Sequence, residues 1–155
     1  MALYRMNRFK KSLRNCELGS FIEDGLDGIQ KSHRGKFKQR KRKVLLSINA
    51  EDALRQSNPA VYGNVNHWDY LCGIGKGGRV DARIGVEAHR ATTEEVDKLV
   101  AKKKWFSGYL ARKVSNFEVS KWFWVALGGI KIAPTTIEAR RLSQEAIILV
   151  PHVKC

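Results

Sequence analysis

Apolar and polar positions alternate most regularly in the middle of the chain. In HWDYLCGIG, residues 67–75, Trp68, Tyr70, Cys72 and Ile74 fall on one side and Asp69 and Leu71 on the other, the period-two pattern of a strand. Gly75, Gly77 and Gly78 predict a turn, after which RVDARIGVEAH continues as a paired strand. Its apolar face is Val80, Ala82, Ile84, Val86 and Ala88, which leaves Asp81, Arg83, Gly85, Glu87 and His89 together on the other face. The period then changes. Thr92, followed three residues later by Glu95, has the form of a capping box. Val96, Leu99, Val100, Phe106 and Leu110 give the helix an apolar stripe, with Lys98, Lys102, Lys103, Lys104 and Arg112 over much of the rest. KWFWVAL, Lys121 to Leu127, predicts a third strand. A second capping box, Thr135 to Glu138, opens a helix reaching about Gln144, and AIILVP predicts a final short, buried strand.

The amino-terminal third is less regular. Leu18, Phe21, Ile22, Leu26 and Ile29 recur at helical spacing and predict a helix between Cys16 and Gln30, although Gly19, Gly25 and Gly28 each weaken it by roughly 1 kcal/mol. SHRGKFKQRKRKV holds no acidic residue and predicts a flexible basic loop. VLLSIN fits a short strand or the lead-in to a helix, and Asn58-Pro59 and Gly63-Asn64 mark turns. The expected fold class is α/β: a mixed central sheet in the order β-β-α-β-α-β, flanked by helices, with a basic helical amino-terminal segment. Residues 1–50 form that segment and residues 51–155 the core, within one compact domain overall.

Composition changes the picture in one respect. Lys and Arg number 29 against 15 Asp and Glu, a net charge of +14, whereas the 43% apolar content is ordinary for a globular chain. This surplus points to a polyanion, nucleic acid before an acidic membrane, because no basic helix has a broad apolar face. Arg34, Lys36, Lys38, Arg40, Lys41, Arg42 and Lys43 in the basic run, and Lys76 in the glycine turn, are the expected phosphate contacts. Cys16, Cys72 and Cys155 are too far apart for a zinc ribbon. Their odd number, and an amino terminus without an apolar secretory stretch, predict a reducing cytoplasm. GIGKGG is not a phosphate-binding loop of the Walker type, since it lacks the Lys-Ser/Thr ending and precedes a strand. Trp105, Phe106, Trp122, Phe123 and Trp124 fit a core, or in part a platform for stacked bases.

Asp69 on the first strand, with Glu87 and His89 near the end of the second, converge if the strands pair. Two carboxylates on adjacent strands make a hard-oxygen site suited to Mg²⁺ or Mn²⁺, which can activate water and steady charge on a phosphate. A neighbouring imidazole can orient that water or neutralise that charge. The segments HWDYL and VEAH resemble the Asp and Glu-x-Lys motifs of the PD-(D/E)xK nuclease superfamily, with histidine where the motif has lysine. The resemblance covers roughly residues 66–150. It implies metal ligation by Asp69 and Glu87, His89 in the place of the lysine, and an acidic residue on a leading helix, for which Glu23 or Glu17 is the match. It also implies a metal-dependent endonuclease acting on DNA in preference to RNA, possible as a homodimer or as a subunit of a larger complex.

Two other classes fit the residues. One is a catalytically silent nucleic-acid-binding protein on the same fold, favoured by the histidine. The other is a small basic subunit of a larger assembly, whose glycine-broken helix and basic loop order on contact.

Overall fold

The computed structural model describes the backbone of residues 2–155 and the side chains of residues 8–155. Its centre is a six-stranded sheet built by β1 (Glu23–Asp24), β3 (Lys43–Asn49), β4 (Tyr70–Lys76), β5 (Arg79–Ala91), β6 (Lys121–Ile130) and β7 (Ile147–Val150), side by side in that order. From β1 to β5 the neighbours are antiparallel, and from β5 to β7 they are parallel. The parallel half needs crossovers, which α5 (Val96–Lys113) and α6 (Ile137–Gln144) provide. A second, two-stranded parallel ribbon joins β2 (Phe37–Lys38) to β8 (Val153–Lys154). The remaining helices are α1 (Ala2–Leu13), α2 (Lys31–Arg34), α3 (Ala50–Ser57) and α4 (Pro59–Tyr62). The mixed α/β class and the β-β-α-β-α-β order of the carboxy-terminal two thirds are as the periodicity predicts.

Alternation along the strands divides the apolar side chains into two layers. Tyr70, Cys72, Ile74, Ile84, Val86 and Ala88 pack with Phe37 and Val153 of the ribbon. On the other face Leu71 packs with Phe106, Tyr109 and Leu110 of α5, and with Phe9 and Leu13 of α1. Two side chains depart from the predicted faces. Trp68 lies ahead of β4 and turns into the α5 layer, edge-on to Trp122. Val80 joins the same layer, because the register slips between Ile74 and Gly75. Gly77 and Gly78, with φ of 59° and 74°, form the turn between these strands in a conformation few other residues adopt.

The amino-terminal third differs most from expectation. Residues 16–30 form no continuous helix. A 3-10 turn, Glu17–Phe21, leads to β1, and Gly25 at φ 53° turns the chain, in keeping with the helix-weakening glycines. The basic run is not a free loop, since it holds α2, β2 and the start of β3. VLLSIN is strand, and an interior one, so residues before position 50 share the sheet and the core with those after it. The helix starts also shift. Thr92 makes no side-chain cap, and α5 follows a 3-10 turn, Thr93–Glu95, while α6 is capped by Thr136, whose hydroxyl accepts from Ala139 N–H at 3.1 Å. β7 is an edge strand with Ile148 exposed, not a buried one. No helix among the described residues is long and apolar enough to cross a membrane.

Candidate functional site

Asp69 and Glu87 meet where β3 gives way to α3 and β4 begins. Asn49 ends β3 and caps α3, its side chain accepting from Asp52 N–H at 3.1 Å. The first α3 amide, Ala50 N–H, donates to the Asp69 carbonyl at 2.8 Å and holds the residue in place. The two acidic residues then brace each other through the backbone. Asp69 N–H donates to Glu87 Oε1 at 2.9 Å, and Ala88 N–H donates to Asp69 Oδ2 at 3.0 Å. Both side chains point to the α5 face, as the alternation on β4 and β5 requires.

The third member of the cluster comes from α5. Lys102 Nζ lies 2.5 Å from Glu87 Oε2, and both residues are buried. Burial opposes charge on Lys102, but the adjoining Glu87 outweighs it and holds the ammonium above its usual range. Burial likewise pushes the Glu87 carboxyl up to about 7, against the pull of Lys102. Asp69 is raised well above the carboxylate range, by burial first and then by Glu87. Two carboxylates therefore share one buried ammonium. Glu51, in the first turn of α3, adds a further acidic group that raises both Asp69 and Glu87.

His89 is not part of this cluster. Its Nε2 lies 2.8 Å from Glu95 Oε2, and Glu95 is the residue expected to close the capping box. The imidazole therefore takes the carboxylate that the helix start would have used, and Lys102 occupies the position against Glu87 that the resemblance assigned to residue 89. Glu23 is exposed on edge strand β1, opposite Ser47, and is likewise not brought to the pair. Glu17 accepts from the hydroxyls of Tyr62 and Tyr109, which ties its 3-10 turn to α4 and α5. The helical acidic residue that does act on the pair is Glu51 of α3.

Lys102 left a trace in the sequence. It stands three residues after Leu99 and four before Phe106, in phase with the apolar stripe rather than with the polar face. A lysine in that phase must either snorkel or find a buried partner. Glu87, the one charged residue in the stretch Ile84–Ala88, was the complementary trace.

The expected phosphate contacts are dispersed. Arg34 donates to the Ile29 carbonyl at 2.9 Å and so braces the turn before α2, and Arg42 is paired with Asp81. Lys43 opens β3 opposite Gly75, and Lys76 closes β4, whereas Asn49 pairs with Tyr70 beside the carboxylates. Six strand residues separate these ends, roughly 20 Å. Lys38, Arg40 and Lys41 are exposed, and Lys36 is half-buried.

Carboxylate oxygens are the donors that hard divalent cations take, and Asp69 and Glu87 bring two such groups together. Among the described residues Asp69 Oδ1 accepts no N–H, and the cluster sets two carboxyl groups against one amine. No group of three or more His, Cys, Asp or Glu side chains among the described residues forms a ready-made ion cage, so the protein oxygens available are those of Asp69 and Glu87, with Glu51 beside them. Comparisons with protein-family models, with curated proteins and with solved structures give no match to this chain.

Proposed function

We propose that the protein is a metal-dependent nuclease, of the PD-(D/E)xK kind in its element order, with DNA as the expected substrate. The observation that carries this reading is the convergence of Asp69, Glu87 and Lys102 from β4, β5 and α5 in a chain of net charge +14. Asp69 and Glu87 would hold Mg²⁺ or Mn²⁺. Such an ion, when bound, supplies a Lewis acid and lowers the pKa of water. Asp69 would offer such an ion its Oδ1, which accepts no N–H among the described residues. Lys102, kept charged by Glu87, offers N–H donors to the charge that builds on the phosphate as water attacks and the 3′ or 5′ oxygen leaves. His89, held by Glu95, lies outside this step. The basic surfaces hold the backbone and add affinity without reading sequence.

One observation favours the silent alternative. Glu87 is fully buried and both of its oxygens already have donors, as in a structural ion pair. Cleavage of labelled DNA and RNA with Mg²⁺, Mn²⁺ or EDTA separates the two, with Glu87→Gln and Lys102→Met as variants. Metal-dependent cutting lost in both variants supports the nuclease. Salt-sensitive binding with no cutting by the wild type leaves a nucleic-acid-binding protein.

A further inference from the structure

The ribbon of β2 and β8 brings together two segments from opposite parts of the chain. Phe37 pairs with Val153 and Lys38 with Lys154. Val153 N–H donates to the Lys36 carbonyl at 2.8 Å, and Cys155 N–H to the Lys38 carbonyl at 3.2 Å. Phe37 and Val153 are buried in the core, while Lys38 and Lys154 are exposed on neighbouring strands. Like charges directly across a strand pair are destabilising. Among the described residues no acidic side chain bridges either lysine. The cleft beside the pair, about 310 Å³, is lined by Lys38, Arg40, His152, Lys154 and Cys155, with no side-chain carboxylate among them. Burial, and after it Lys38, Lys36 and Lys154, hold the His152 imidazole below its usual range, so several cations converge on one place.

Some cations elsewhere have acidic partners: Arg42 with Asp81, Lys104 with Glu145, Lys113 with Glu17 and Arg141 with Asp97. Among the described residues Lys38, Arg40 and Lys154 form no such bridge. A concave site with clustered donors and no acidic side chain in its lining is complementary to an anion from outside.

We propose that this cleft is a phosphate-binding site for the nucleic-acid backbone, made by Lys38, Arg40, His152 and Lys154, and separate from the carboxylate pair. The proposal rests on the nucleic-acid reading above but not on cleavage. The ribbon packs on the sheet face carrying Tyr70, Cys72 and Ile74, whereas Glu87 and Lys102 lie on the α5 face. The cleft therefore grips nucleic acid away from the reacting phosphate, and it governs affinity rather than the chemical step. His152 and Lys154, outside the basic run, become binding residues only because β8 pairs with β2.

The test is a Lys38→Gln/Lys154→Gln double variant of the full chain, assayed in EDTA against labelled duplex DNA, single-stranded DNA and RNA over a salt series. The expected result is weaker binding and a salt dependence shallower by about 2 in the log–log slope, at an unchanged or raised Tm. If the wild type cuts, KM rises in the variant and kcat is kept. Wild-type affinity and slope in the double variant, with binding weakened by Lys41→Gln/Lys43→Gln, would overturn the proposal. So would a Tm rise with inorganic phosphate, abolished in the variant, alongside unchanged nucleic-acid affinity: the cleft would then serve a free anion. Binding lost in the variant, with no cutting by the wild type, upholds the cleft and removes the nuclease.

Discussion

The two faces of the sheet handle charge in opposite ways. On the α5 face, Glu87 and Lys102 are buried and Asp69 is half-buried, and each leans on a named partner. On the other, Lys38, Arg40 and Lys154 stand in solvent without one. A buried charge is coupled to the fold, because removing its partner leaves an uncompensated ion in a poor solvent. An exposed charge is coupled mainly to whatever binds. Substitutions on the first face should therefore register in stability and chemistry together, and those on the second in binding alone.

The largest break in that comparison comes from Lys102→Met. Leaving the carboxylates without their ammonium should cost about 3–5 kcal/mol at pH 8 and cut any cleavage by at least about 100-fold. Urea denaturation reads the first effect, and the cost should shrink at pH 5, where the carboxylates take up protons. Equal cost at both pH values would show that the ion pair does not set the penalty. A packing control on the same face is Gly85→Ala. A methyl group there would meet the Trp122 ring at 2.5 Å, and overpacking of this kind costs about 1–3 kcal/mol without a pH dependence.

The pH profile of the unaltered protein sharpens the contrast. Glu87 is raised from 4.5 to about 7, so between those values the folded protein holds a proton that the unfolded chain has released. Stability without metal should fall as pH rises through that window and level off above it. A bound divalent cation acts oppositely, so the Tm gain from Mg²⁺ or Mn²⁺ should be larger at pH 8 than at pH 5.5. A gain independent of pH, or absent in both conditions, would argue against ligation by this pair. The smallest effect belongs to His89→Ala. Its contact with Glu95 is partly exposed, so the loss should be under about 1 kcal/mol, with cleavage nearly unchanged. A cleavage defect as deep as that of Lys102→Met would return the histidine to the chemistry.

The elements that could be read from the sequence are those that bury a face along their length. β4, β5, α5, β6 and α6 repeat an apolar period often enough to identify themselves. β1, β2 and β8 are two residues each, too short to show a period, and they exist because a partner strand is present. The site divides in the same way. Asp69 and Glu87 were visible because neighbouring strands with a tight turn have predictable register. Lys102 was not, because its partner depends on where α5 crosses the sheet. His89 misled for the same reason: spacing along β5 puts it on the Glu87 face, but only the tertiary arrangement brings Glu95 within reach of it.

The β2–β8 ribbon has a consequence for the order of folding. Its strands are separated by about three quarters of the chain, so closing it carries a large loop entropy for a pairing of two residues on each side. Such a contact forms late and opens early, ahead of the long β4–β5 and β5–β6 ladders. Amide exchange at Val153 and Cys155 should thus be faster than at β5. A polyanion seated across Lys38 and Lys154 would slow it, acting as a clasp on two segments that are far apart along the chain.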